Sequence, residues 1–328
     1  MITFILPTKD RVNQLNFFCK TTFKKFKNLR PKYVIVDASN SINSQLNQRN
    51  LKKYKNVKII KQKSKGIQKG CIEAIPHINT KYATFLYDDD VMGQHVSKIY
   101  KENFKNKKIF SFGCGVVEDI KKNVKFNKLK ILNLPKEEVL TSYFGNNFNK
   151  VLKKNLIKEK LILPVSPICT CFETNFLIKW KKILFKFTKN NVFRNYFFFK
   201  KDVGPDMLVY LMQIGYSYKK VKFYYPHSVK FSSHTDSISI IYGNSFLRIG
   251  YWLARICYIQ NEKILNYKEK NNAYTYLVII GLVLLFSNIF NLFYLKNILI
   301  EFVNLLKTKN RFSTYFFIKY ISERMFSK

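Results

Sequence analysis

The stretch YATFLYDDDVMGQH, residues 82–95, sets three acids, Asp88, Asp89 and Asp90, directly behind an apolar run of strand length. The chain around it has 58 Lys and Arg against 20 Asp and Glu, a formal net charge of +38, so acid gathered at one point needs a local reason. Adjacent carboxylates repel and raise one another's pKa unless a cation lies between them. A hard divalent ion meets that need: Mg2+ or Mn2+ takes one or two carboxylates and leaves its other positions to water and substrate phosphates. On this reading Asp88 and Asp90 are the ligands. The alternative is that the acids cap the next helix, whose dipole favours negative charge at its start.

Outward from this stretch the chain alternates short apolar runs with longer mixed segments. Residues 2–6, 33–36, 57–60 and 82–87 read as strands, and 12–29 and 67–78 as helices. That rhythm predicts an α/β fold, a mostly parallel sheet flanked by helices. Downstream, 109–117 and 161–172 read as strands, with a polar, helix-prone or irregular segment over 135–160 between them. Residues 205–215 form a helix opened by Pro205 and stopped by Gly215, and 218–225 a strand ending at Pro226. From about residue 240 the pattern turns helical, aromatic and basic, which predicts an α-helical C-terminal extension over 241–328.

Ligands of open α/β sheets bind at the carboxyl ends of the strands. Three polar pieces end there: Pro7-Thr8-Lys9-Asp10-Arg11, Asp37-Ala38-Ser39-Asn40 and Asp88-Asp89-Asp90. In this order PTKDR, VIVDASN and FLYDDDV resemble the family 2 glycosyltransferases, with their PTxNR, VVDDGS and xDDD patterns. A second cluster, VGPDMLVYLMQIGYSYKKVKFYYPHSVKFSSH at 203–234, is similar to the family's EDxxLxxRxxxxGyxixxxP segment and the His that follows it. Asp10 stands in place of the family's Asn, Ala38 in place of an Asp, Pro205 in place of a Glu, and KSKGIQKGC in place of an Asn-rich turn. The resemblance covers roughly 1–118 and 161–236.

The resemblance implies a GT-A fold over 1–240, with a nucleotide-sugar half at about 1–118 and an acceptor half at about 119–240. It implies that Pro7, Thr8, Arg11, Asp37, Asp88 and Asp89 line the nucleotide-sugar pocket. Asp88, Asp90 and His234 would hold Mn2+ or Mg2+, and Asp206 would take the proton of an acceptor hydroxyl in an inverting transfer. Asp37 suits the N3–H of uracil or thymine, which points to UDP- or dTDP-sugars; it also suits the capping of the segment after it. Arg11 reads equally as a phosphate contact or as a first-turn surface residue, and His234 as a ligand or a surface histidine, with His227 its competitor. The acceptor implied is a glycan or lipid-linked hydroxyl of surface polysaccharide biosynthesis.

Other classes fit less well. A sugar-phosphate nucleotidyltransferase opens with a Gly-rich phosphate loop after its first strand, which PTKDR lacks. Lysine is spread evenly rather than blocked into an arm, so no nucleic-acid partner is expected despite the charge. Six scattered cysteines lack zinc or disulfide spacing, and the first apolar run is too short for a signal peptide, so the expected location is cytoplasmic. Residues 271–295 hold no charge and are long enough to span a bilayer. Both flanks are basic, which argues against a single span. The expectation is a helix held peripherally on the anionic inner face of the plasma membrane, or one buried in a helical subdomain.

Overall fold

Every residue of the first strand, β1 (Ile2–Thr8), is buried, as a central parallel strand covered on both faces requires. The computed structural model describes residues 1–93, 95–105, 109–118, 128, 130–136, 139–140, 166–199, 203–216, 220–232, 238–261, 267–308, 312–314 and 317–318. Within them β1 lies between β2 (Pro31–Asp37) and β4 (Tyr82–Phe85), with β3 (Val57–Lys61) outside β2; all of these pairs are parallel. The short β8 (Phe172–Glu173) adds antiparallel to β4. Register does the positioning: Thr8 pairs with Asp37 and Ile5 with Phe85, so continuing the second pairing by three residues brings Asp88 beside Thr8.

Helices α1 (Val12–Lys25), α2 (Ser41–Leu51) and α3 (Ile67–Ala74) make the crossovers. Two predicted helices end early. The first stops at Lys25 and passes through a 3-10 turn to Arg30, which takes a left-handed φ of 48°. The second stops at Ala74 and continues as a 3-10 turn over Ile75–His77, where Pro76 has no N–H to donate.

A second sheet is built on β9 (Lys220–Ser232). β6 (Ile109–Glu118) runs parallel along one edge; β7 (Lys130–Pro135) and then β5 (Val91–Met92) run antiparallel along the other. The strand expected to end at Pro226 continues to Ser232. Its partners skip from Tyr224 to Val229 on the β6 side and from Tyr225 to Val229 on the other, so the proline falls in a gap of both ladders, where its missing N–H costs nothing. The strand predicted over 161–172 is also corrected. Residues 161–165 lie outside the described residues, Pro167–Cys169 form a 3-10 turn, and only Phe172–Glu173 pair. The turn is apolar because it is core: Ile168 and Cys169 are fully buried, and the Thr84 hydroxyl bonds to the carbonyls of Pro167 and Thr170 at 2.7 Å.

The remaining helices are α4 (Val96–Lys105), α5 (Thr174–Phe187), α6 (Asn191–Arg194), α7 (Pro205–Tyr216), α8 (Ile238–Asn261), α9 (Tyr267–Ser287) and α10 (Leu292–Leu306). The apolar stretch over 271–295 is two helices, not one. α9 stops at Ser287, and the Asn291 side chain accepts from Tyr294 N to start α10. α9 is long and apolar enough to cross a membrane over Lys270–Ser287, yet half of that segment is buried in the protein: Trp252 Nε1 of α8 donates to Leu277 O at 2.9 Å, and Gly281 lies against Phe302 and Trp252. One apolar core joins sheet residues Ile5 and Phe85 to Leu208, Trp252, Leu277 and Ile298 of the helices.

α8 crosses the entry to α7 at a pair of glycines. A Cβ on Gly204, which has φ 116°, would sit 2.6 Å from Gly250 O, and one on Gly250 would sit 2.5 Å from Val203. Positive φ and close backbone approach both demand glycine there. Gly204→Ala is therefore expected to cost about 1–3 kcal/mol in denaturant unfolding; an unchanged midpoint would refute the tight crossing.

Candidate active site

The acids behind β4 meet the loop behind β1. Thr8 Oγ1 donates to Asp88 Oδ2 at 3.0 Å, and Arg11 Nη1 bridges Asp88 Oδ1 at 3.1 Å and Asp89 Oδ2 at 3.0 Å. Gln14 Nε2 adds a bond to Asp88 O. Arg11 thus faces Asp88 and Asp89, with a third of its side chain still exposed. Burial pulls its pKa down, but the bonds and charges of Asp89 and Asp88 outweigh that and hold it raised. Asp88 is pushed up by its own burial and by Asp89's charge, with Arg11 and Thr8 opposing. Asp90 is driven well up by burial and by Asp89, although the Ser232 backbone N–H at the end of β9 bonds to its carboxylate.

The neighbouring loop is tied in by Asp10, which stands in the left-handed region at φ 53°. Its N–H bonds Ser39 Oγ at 2.8 Å, and its Oδ1 accepts from Asn40 N and Asn43 Nδ2. Those bonds, Asn43's first, lower its pKa. Asp37 has no exposed surface; its oxygens accept from Ser39 N at 2.9 Å and Asn47 Nδ2 at 3.2 Å, so it caps the turn that follows it. Pro7 is buried in β1, paired with Val36.

Asp206 opens α7. Its Oδ1 accepts from Met207 N at 2.8 Å, the Trp180 indole fixes the same turn by donating to Pro205 O at 2.9 Å, and burial raises the Asp206 pKa to about 6 against the pull of these backbone donors. Tyr87 connects the two halves. Its phenol is held well above its usual pKa first by burial and Cys71, and then by the charges of Asp206, Asp90 and Asp89 together. The acids behind β4 and the acid of α7 therefore lie within electrostatic reach of one side chain, Tyr87. Behind Asp206 stands α8: burial and then Asp206's charge raise the pKa of Tyr251, and the buried Arg255, one turn on, opposes that rise and is itself pulled down to about 10 by burial.

The layout of a five-stranded, mostly parallel sheet, a second sheet on β9 and an acid at the start of α7 can be compared with known proteins. No family model matches this sequence, and no curated protein does. Among solved structures, S. aureus TarS 1–349 superposes with a TM-score of 0.52 at 12% identity, covering 86% of this chain and 72% of that one. The same TarS fragment in complex with UDP-GlcNAc gives 0.55 at 13% identity, covering 93% and 81%. The fold is GT-A.

Thr8, Arg11, Asp88 and Asp89 come together by direct contact, Asp90 follows them, and Asp206 is linked to them through the surroundings of Tyr87, whereas Asp37 and Pro7 stand enclosed nearby. His234 lies outside the described residues, and His227 is on β9 beyond Pro226. Tyr87, Tyr251 and Arg255 were not anticipated. An Arg amid the aromatic run YWLARICYI is the sign that could have found the last two, since a buried guanidinium requires partners. Among the described residues no group of three or more His, Cys, Asp or Glu forms a ready metal cage. The donors fit a hard ion that takes few protein ligands and completes its shell with water and phosphate: carboxylate oxygens, with a guanidinium already seated against two of them.

Removing that guanidinium exposes the repulsion it relieves. Arg11→Ala should lower stability by about 2 kcal/mol at pH 8. The loss should shrink toward pH 4, where Asp88, whose pKa is raised, takes up its proton. Thermal melts of both proteins at the two pH values test this, and an equal loss at both would contradict it.

Proposed function

We propose that this chain is a metal-dependent inverting glycosyltransferase that moves a sugar from a nucleoside diphosphate to an acceptor hydroxyl. The observation that carries the reading is the junction of Thr8 and Arg11 with Asp88 and Asp89 at the carboxyl ends of β1 and β4, with Asp206, at the start of α7, in the electrostatic surroundings of the same Tyr87 as Asp89 and Asp90. The likeness in fold to a protein crystallised with UDP-GlcNAc supports a nucleotide-sugar donor.

Asp88 and Asp90 would hold Mn2+ or Mg2+, with His234 as a further candidate ligand. When bound, the ion supplies neutralisation of the charge that builds on the departing diphosphate. Arg11, which bridges Asp88 and Asp89, would suit the same phosphates as a planar donor. Thr8 and the turn after β2 would border the nucleoside. Asp37 can accept a uracil or thymine N3–H through its remaining lone pairs once the turn over residues 38–40 shifts, so UDP- and dTDP-sugars are the proposed donors.

Asp206 takes the proton. As the acceptor oxygen forms its bond to the anomeric carbon and the carbon–phosphate oxygen bond breaks on the opposite face, the hydroxyl proton passes to the Asp206 carboxylate. A pKa near 6 makes it a stronger base than an ordinary aspartate while leaving it ionised at neutral pH. The glycine crossing of α8 and the Trp180 bond hold that first turn in place. A polysaccharide or lipid-linked glycan is the proposed acceptor. The described cysteines, buried and without a disulfide among them, support a cytoplasmic setting.

Calorimetric titration with a panel of nucleoside diphosphates, with and without Mn2+, tests the proposal. One uridine or thymidine nucleotide should bind with Mn2+ and lose about tenfold or more in affinity without it, and Asp90→Ala should abolish the metal's effect. Binding of every nucleotide alike, indifferent to metal, would overturn it.

A further inference from the structure

Helix α10 is apolar on two adjoining faces. One, carrying Ile298, Phe302 and Leu305, is buried. The other carries Leu292, Leu299, Val303 and Leu306, spaced to lie along one side, and all four are exposed. An apolar helix face belongs against something, and the protein covers only one of these two. The turn from α9 into α10 extends the same surface: Phe286 is 75% exposed, Leu292 79% and Phe290 fully. Isolated exposed apolar residues need no explanation, but a continuous stripe ending in aromatic side chains does.

Charge says what covers it. From residue 271 to 322 the sole acid is Glu301, and it is turned inward, buried and bonded to Asn190 Nδ2 at 2.8 Å. Lys296 sits within the outward stripe and Lys307 at its end, both exposed. An apolar strip edged by lysine and devoid of exposed acid matches the headgroup and acyl boundary of an anionic bilayer. Half of the apolar segment of α9 is already packed in the protein, so the surface left for a bilayer is the α9–α10 tip and the outer face of α10.

We propose that the α9–α10 tip and the outer face of α10 form a monotopic membrane seat, with Phe286 and Phe290 inserted among anionic lipids and α10 lying in the plane of the surface. The seat is independent of the chemistry proposed for the crevice. It would hold the enzyme against a lipid surface without a transmembrane segment.

The test uses the full chain and two kinds of vesicle, pure phosphatidylcholine and phosphatidylcholine with phosphatidylglycerol. Sedimentation should bring the protein down with the anionic vesicles and leave most of it in solution with the neutral ones. High salt should weaken the binding. Phe286→Asp/Phe290→Asp should lose about tenfold or more in vesicle affinity with an unchanged melting temperature. In Phe290→Trp the indole emission should shift to the blue on anionic vesicles and be quenched by bromine on the acyl chains. Failure to bind either vesicle, or full binding by the double variant, would overturn the proposal. So would a dimer in solution that the double variant dissociates, since the face would then be an interface between copies.

Discussion

Carboxylates gathered at the end of a buried strand need positive charge within contact distance, and the bridge from Arg11 to Asp88 and Asp89 supplies it. That constraint orders the elements around it. β1 must lie beside β4 so that Thr8 and Arg11 reach the acids, and β2 must lie on β1's other side so that Asp10 can tie the two loops through Ser39, Asn40 and Asn43. A cation held this way is also replaceable. The arginine occupies an Asp88 oxygen that the proposed divalent ion would take, so Asp88 would serve both arrangements.

The second dependence runs from the C-terminal helices into the crevice. Asp206 lies far from the triad in sequence, and its first turn is pinned from two sides, by the Trp180 indole and by the backbone of α8 against Gly204. α8 also brings Tyr251, itself within reach of the buried Arg255, into the electrostatic surroundings of Asp206. The helices after residue 238 therefore form a wall of the site and share its apolar core. Their outward face, left apolar and rimmed by lysine, is where the catalytic half and a lipid surface would be brought together.

The sheet was legible because alternation of strand-length apolar runs with helical segments is a local signal, and each polar loop at a strand end followed from it. Long-range pairing was not. Nothing near Arg11 in the chain announces that its partners lie beyond β4, and burial of an apolar run cannot distinguish the 3-10 turn at Pro167–Cys169 from a strand. Hydropathy likewise passed over the break between α9 and α10, because Asn288 and Asn291 serve the turn with their own side chains, Asn288 Nδ2 bonding Leu284 O and Asn291 capping Tyr294. Pro226 misled in the opposite direction, since the gap that tolerates it belongs to the neighbouring strands.

The central claim is that the acids behind β4 and the acid of α7 face one bound nucleotide from opposite ends. Anomalous diffraction from crystals of the full chain grown with UDP and Mn2+ tests it most directly. The account predicts a manganese peak on the Asp88 and Asp90 carboxylates, bridged by the diphosphate, with the Arg11 guanidinium moved off the acids and the open side of the diphosphate toward Asp206. A nucleotide bound elsewhere, or a manganese peak away from these aspartates with Arg11 still in place, would contradict it.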